Sequence, residues 1–278
     1  VTGSTANPAD ARPFEIDRFV ADVAVADAGD RQIVVDQGWV RAPSVILPEQ
    51  YDTNWIIRTS GTTGEPKHRF MSGQQFLERL KFSMHRRPPI DGISYMGTNS
   101  ATVAGIDRAF SILLSGQTLV HPARDIGASL QRWIDREVAI AFIPSGQLPR
   151  FLNAANGLPD RPKHLRLISV GGGAISNQIA QQAEDVFRCA VINTYGSTES
   201  GSIAHHRPCE TPDVQGVVGR PYKGHELRFV PEGGGDVPST HAGEIMMRSP
   251  PSNRLRDWPS DAPIADPDGW VSTGDLGR

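Results

Sequence analysis

With 278 residues, 38% of them hydrophobic, the chain is long enough for one large or two modest domains with a real core. A formal net charge of -3 and a pI near 6.3, without any long basic run, argue against a nucleic-acid or acidic-polymer partner. Its polar start and the lack of eighteen consecutive apolar residues predict neither a secretory signal nor a membrane span, which makes the cytoplasm the expected compartment. Cys189 and Cys209 lack any ligand-type spacing and are expected to be inert thiols.

Residues 1–50 are rich in Ala, Asp and Val, with weak turns at Ala28-Gly29-Asp30 and Gln37-Gly38, and predict an abbreviated N-terminal segment of short, peripheral elements. An apolar run, Trp55-Ile56-Ile57, then leads into Thr59-Ser60-Gly61-Thr62-Thr63-Gly64-Glu65-Pro66-Lys67. Beyond it a helix is expected, capped by Ser72 and burying Phe76, Leu77, Leu80 and Met84. In this strand-loop-helix setting the glycines let backbone N–H groups converge on an anion. Ser60, Thr62 and Thr63 add hydroxyl donors, and Lys67 adds a full positive charge. The P-loop of NTPases is excluded, because Glu65-Pro66 separate Gly64 from Lys67 and His68 follows the lysine.

Residues 51–215 alternate helical and strand patterns and predict an α/β nucleotide-binding core on a parallel sheet. One helix carries Leu130, Trp133 and Ile134, and strand Val138 to Ile143 follows it. The clearest unit is βαβ. Strand Leu165 to Val170 enters Gly171-Gly172-Gly173-Ala174, a helix opens at Ser176 with Ile179, Ala183, Val186 and Phe187 on one face, and strand Ala190 to Thr194 ends in Tyr195-Gly196-Ser197-Thr198-Glu199. A right-handed crossover puts both loops at the carboxyl ends of neighbouring strands, where open α/β sheets bind ligands. Glycines admit a flat ring, Tyr195 can stack on it, and Glu199 offers a hard oxygen to Mg²⁺. Residues 216–278, with extended runs Leu227 to Val230 and Gly243 to Arg248 between Gly/Pro loops, predict a small β-rich subdomain, an antiparallel sheet or barrel. Adjacent His205 and His206 point apart and have no third ligand in view, so a loop role is expected; Trp258 and Trp270 are expected to pack.

Taken together, these strings resemble the signatures of the adenylate-forming superfamily: acyl- and aryl-CoA synthetases, luciferases and nonribosomal peptide synthetase adenylation domains. The resemblance rests on the Thr59–Lys67 loop, Val170-Gly171-Gly172-Gly173-Ala174-Ile175-Ser176, Asn193-Thr194-Tyr195-Gly196-Ser197-Thr198-Glu199, Gly216 to Pro221, Gly243-Glu244-Ile245 and Gly269 to Arg278, all in the family's order. It implies an α/β adenylate-forming N-terminal core with parallel βα sheet layers plus a small antiparallel sheet. It also implies ATP and Mg²⁺ as cofactors. Thr59, Ser60, Gly61, Thr62, Thr63, Gly64 and Lys67 would hold the outer phosphates. Gly172, Gly173 and Ala174, with Asn193, Thr194 and Tyr195, would form the adenine slot. Thr198 would meet the α-phosphate, Glu199 would hold the metal, and Asp275 would bind the ribose. Lys67, Thr198 and Glu199 are the residues it makes catalytic.

The implied reaction is attack of a carboxylate on the α-phosphorus of ATP, giving an acyl-adenylate and pyrophosphate, with transfer to the thiol of CoA or of a phosphopantetheine-bearing acyl carrier protein. In amino-acid-activating relatives a Phe-Asp-x-Ser string holds the amine; Thr102-Val103 stand at the Phe-Asp positions and Asp107 is out of register, so a fatty, hydroxy-acyl or aryl acid is expected. The family's mobile C-terminal domain carries a further lysine for adenylation. None of Lys67, Lys81, Lys163 and Lys223 lies beyond the last motif, so that domain is expected to be absent from these residues. The same observation raises the alternative of a non-catalytic ATP or acyl-adenylate binder acting as a scaffold or regulator.

Overall fold

The structure is a computed structural model that describes residues 34–36, 39–41, 54–59, 67–85, 92–99, 102–158, 160–210, 216–231, 242–249, 255–257, 260 and 262–278. In chain order the first elements are β1 (Val34–Asp36), β2 (Trp39–Arg41), β3 (Asn54–Thr59), β4 (Lys67–Ser72), α1 (Gly73–His85), β5 (Ile93–Met96) and α2 (Val103–Leu114). There follow β6 (Thr118–Val120), α3 (Ile126–Asp135), β7 (Val138–Pro144), α4 (Leu148–Ala155), β8 (Leu167–Gly171), α5 (Asn177–Phe187) and β9 (Ala190–Ser197). The last are β10 (Gly201–His206), β11 (Arg220–Pro221), β12 (Glu226–Val230), β13 (Gly243–Arg248), β14 (Arg256–Asp257) and β15 (Trp270–Gly277).

Two compact units divide the chain: Val1–Leu47, Pro88–Asn193 and Arg207–Val217 form one, and Pro48–Arg87, Thr194–His206 and Val218–Arg278 the other. In the first unit the strand order is β1-β2-β6-β5-β7-β8-β9. The pairs β6-β5, β5-β7 and β7-β8 are parallel, as the α/β alternation predicts, while β1 and β2 extend the edge as antiparallel strands. The expected peripheral elements of the N-terminal segment are thus edge strands, one on each side of Gln37-Gly38.

Buried apolar residues of β7 and β8, Val138, Ala141, Ile143, Ile168 and Val170, meet Leu130 and Trp133 from α3, Phe151 from α4, and Ala180, Ala183 and Phe187 from α5. At the centre Trp133 stacks on Phe151 with ring centroids 4.7 Å apart, and Tyr95 meets Trp133 edge-on at 5.2 Å. Helix starts are fixed by side-chain caps. Asp125 accepts from the Ala128 N–H at 2.7 Å, and Ser176, as expected, accepts from Ile179 at 3.2 Å. The βαβ unit is present as β8-α5-β9, with β8 starting at Leu167 and β9 running on to Ser197.

In the second unit β3 pairs antiparallel with β4, Thr59 opposite Lys67, and β14 lies along the other side of β4. Here the expected strand-loop-helix order is corrected: a strand, β4, stands between the loop and the helix, and Lys67 is its first residue. The alternation in Lys67-His68-Arg69-Phe70-Met71 is hidden because one inward residue is an arginine, Arg69, instead of an apolar side chain. Ser72 caps α1 as expected, in a reciprocal box: Gln75 N–H donates to Ser72 Oγ at 3.2 Å, and Ser72 N–H donates to Gln75 Oε1 at 3.0 Å. The inner face of α1 buries Phe76, Leu77 and Leu80, while Met84, in the last turn of the helix, is only half-buried.

The expected antiparallel sheet is β12-β13-β15. On it Trp270 packs under the guanidinium groups of Arg228 and Arg248, 4.3 and 4.9 Å from the ring centroid. His205 and His206 lie on β10, not in a loop, and His205 stacks on Tyr222 at 4.3 Å. Trp258 lies outside the described residues.

Phe151→Ala is expected to destabilise the first unit by about 3–5 kcal/mol, because it removes the ring that Trp133 stacks on and leaves a cavity. Urea unfolding with an unchanged m-value checks this.

Candidate functional site

Each unit presents its own set of motif residues. In the first, β7 and β8 end side by side, Pro144 opposite Gly171, and the glycine loop leaves from that carboxyl end. Gly172 adopts φ +81, open only to glycine without strain, and a Cβ on Gly173 would stand 2.7 Å from the hydroxyl of buried Ser145. Gly172, Gly173 and Ala174 are exposed, so this backbone is bare to a ligand. On β9 the buried Asn193 leaves its Oδ1 without a hydrogen-bond partner. An orphaned buried acceptor costs about 1–3 kcal/mol, which is tolerable where a ligand donor completes it.

In the second unit Thr194 and Tyr195 continue β9, and the turn at residues 198–200 joins it to β10. Gly196 passes so close to Gly201 that a Cβ there would sit 2.1 Å from the Gly201 carbonyl oxygen. The hydroxyls of Ser197 and Ser200 lie 2.8 Å apart, and each accepts from the other residue's N–H at 3.2 Å. Two buried arginines brace this turn. Arg79 of α1, 2% exposed, donates to the Thr198 carbonyl at 3.4 Å. Arg69 of β4 donates from Nε to Glu199 Oε1 at 3.1 Å and, through Nη1, pairs with Asp257 of β14.

Tyr195 donates its hydroxyl to Asp275 Oδ2 at 2.7 Å, while its ring packs beside Ile203, Ala204 and Met247. The irregular stretch of β15 holding Asp275 is shaped by Thr273, whose Oγ1 donates to the Ile245 carbonyl at 2.9 Å and accepts from Asp275 N–H at 3.2 Å. Burial, reinforced by the neighbouring Asp275 carboxylate, pushes the Tyr195 hydroxyl up to about 12.

The structure therefore brings together Tyr195 with Asp275, and Thr198 with Glu199. Thr59 and Lys67 are register partners at the end of the β3–β4 pair that adjoins residues 60–66; Ser60, Gly61, Thr62, Thr63 and Gly64 lie outside the described residues. Arg69, Arg79 and Asp257 were not singled out by the sequence. Their partners lie 130, 119 and 188 residues away, so no local pattern marks them. Thr102 caps α2, accepting from Gly105 N–H at 3.1 Å, and Val103 is buried. Among the described residues no three His, Cys, Asp or Glu side chains gather as a metal cage, and no helix is long and apolar enough to cross a membrane.

A family model described as AMP-binding enzyme matches residues 9–253. The chain is 30% identical over 259 residues to a salicylyl-CoA synthase / salicylate adenylyltransferase from a Streptomyces species, covering 84% of this chain and 44% of that protein. It is 26% identical over 237 residues to an indoleacetate–CoA ligase from Aromatoleum aromaticum, covering 80% and 44%. An O-succinylbenzoate coenzyme A synthetase from Bacillus subtilis, solved with ATP and magnesium ion, shares the fold with a TM-score of 0.68 at 22% identity, over 80% of this chain and 47% of that one. The chain thus spans about half the length of the relatives it matches.

Because the Tyr195 hydroxyl is raised from 10 to about 12 in the folded state, its contribution is full below pH 10 and is lost as pH rises through about 12. Thermal melts between pH 9 and 12 should therefore show a smaller loss of stability for Tyr195→Phe than for the parent chain.

Proposed function

The chain belongs to the AMP-binding enzyme family, and on that premise we propose that it serves the ATP-dependent activation of a carboxylic acid. A carboxylate oxygen of the acid bonds to the α-phosphorus of ATP as the bond to the pyrophosphate oxygen breaks, giving an acyl-adenylate and pyrophosphate. A CoA or carrier-protein thiol is the proposed acceptor. The observation that carries this reading is the 2.7 Å hydrogen bond from Tyr195 to Asp275, which joins two motifs 80 residues apart in one place. It sets an aromatic side chain next to a carboxylate, the pair that a nucleoside needs for its base and its ribose hydroxyls.

The remaining assignments follow the chemistry of each group. Gly172, Gly173 and Ala174 offer bare backbone, and the Asn193 oxygen offers an acceptor for an amino group. Thr198 is proposed for the α-phosphate, and Ser60, Thr62, Thr63 and Lys67 for the outer phosphates. Glu199 suits Mg²⁺, a cation commonly held by one or two carboxylates together with substrate phosphates rather than by a cage of side chains. When bound, Mg²⁺ would offset phosphate charge. The protein's own part is positioning, which the Arg69 and Arg79 braces on the Thr198–Glu199 turn supply. In this reading residues 51–215 are the nucleotide-binding core and 216–278 the β-rich subdomain. The aryl- and fatty-acid names among the relatives favour a fatty, hydroxy-acyl or aryl acid over an amino acid, and Thr102 and Val103 offer no carboxylate for an amine.

Carboxylate-dependent exchange of labelled pyrophosphate into ATP is the direct test, run on the chain alone and on the chain joined to a relative's C-terminal portion. Exchange with an aryl or fatty acid is expected; no exchange with any acid in either form would sink the reading. Lys67→Ala is expected to weaken ATP about 10–100-fold and AMP far less, as loss of a charged hydrogen bond to an outer phosphate requires. Equal weakening in calorimetry would remove Lys67 from that role.

A further inference from the structure

Glu199 and Asp257 flank a single guanidinium. Arg69, 8% exposed, is the cross-strand partner of Asp257 in the β14–β4 register, and its Nε holds Glu199 Oε1 at 3.1 Å. One cation thus stands between two carboxylates, and the triad carries a net charge of -1. Were Arg69 paired with Glu199 alone, the pair would be neutral, and a second cation approaching Glu199 would find its charge already spent on the guanidinium.

We propose that Asp257 is a positioning residue for the cation site at Glu199: it draws the charge and one donor of Arg69 to itself, which leaves Glu199 open to a divalent cation. The proposal rests on the reading of Glu199 as the Mg²⁺ residue of a bound nucleotide. Its physical content is electrostatic. Removing the Asp257 charge takes the triad from a net charge of -1 to zero, which weakens its attraction for the metal and, in metal-free conditions, lessens its repulsion of the phosphates. Both changes reduce the advantage that Mg²⁺ gives to ATP binding. The Asp257 side chain is 43% exposed, so an asparagine there keeps a hydrogen-bond acceptor for Arg69 and removes only the charge.

The test compares the ATP dissociation constant in EDTA with that in excess Mg²⁺, by calorimetry, without any turnover. The ratio of the two is the Mg²⁺ gain. Asp257→Asn is expected to cut that gain by about three- to tenfold, a range set by partial solvent screening of the charge. Asp257→Glu should keep it, and adenosine, which has no phosphate for Arg69 to meet, should bind all three forms alike. A merely structural Asp257 would weaken adenosine and ATP together with the gain unchanged, and that result would overturn the proposal. So would a parental gain in Asp257→Asn. Glu199→Gln separates the two levels of the argument. If it retains the parental gain, the Glu199 reading itself fails; if it loses the gain while Asp257→Asn does not, only the role of Asp257 fails.

Discussion

A guanidinium that is taken out of water must be paired, and the second unit is organised around one that is. Desolvating Arg69 costs several kcal/mol unless its donors are met, and they are met only if β14 and the Thr198–Glu199 turn both lie against β4. These segments are far apart in the chain. The constraint is therefore specific as well as energetic: a register slip of one residue would turn Arg69 to the other face of β4 and leave both carboxylates without it. Arg79 repeats the device one element later, from α1 to the Thr198 carbonyl. Two consecutive elements after the Gly/Thr loop thus hold the same turn, one by its side chain and one by its backbone.

Around that turn the backbone is as constrained as the charges. Gly196 approaches the Gly201 carbonyl so closely that it can carry no side chain, Gly201 holds a φ of +71 that favours glycine, and the paired serines close the turn from within. The result is a rigid presentation of Thr198 and Glu199 with few adjustable torsions. For phosphoryl-type chemistry, in which placement and charge do most of the work, a rigid support matters more than any reactive side chain.

Much of this was legible in the chain, in a way that follows from range. Elements stabilised by their own periodicity and caps were readable: the α3 face of Leu130 and Trp133, the β7 run, the Ser72 and Ser176 caps, the β8-α5-β9 unit. The motif strings pointed to Tyr195, Glu199 and Asp275 together because a family signature encodes long-range proximity that periodicity cannot. What escaped was proximity without a signature. β4 reads as polar because its inward Arg69 is satisfied by residues 130 and 188 positions away, and His205 and His206 read as a loop although they belong to a strand. The edge strands β1 and β2, three residues each, are too short for any pattern to declare which sheet they join.

The ring of Tyr195 belongs to two systems at once. One side packs with Ile203, Ala204 and Met247, and the hydroxyl ends on Asp275. A residue proposed as a pocket wall that also packs in the core cannot drift freely: under that proposal, a change that retunes the fit of a ligand there also alters how β10 and β13 are packed. If Tyr195 holds the proposed ligand, selectivity at this position is tied to foldability, and variation in binding has more freedom on surfaces where no core side chain does double duty.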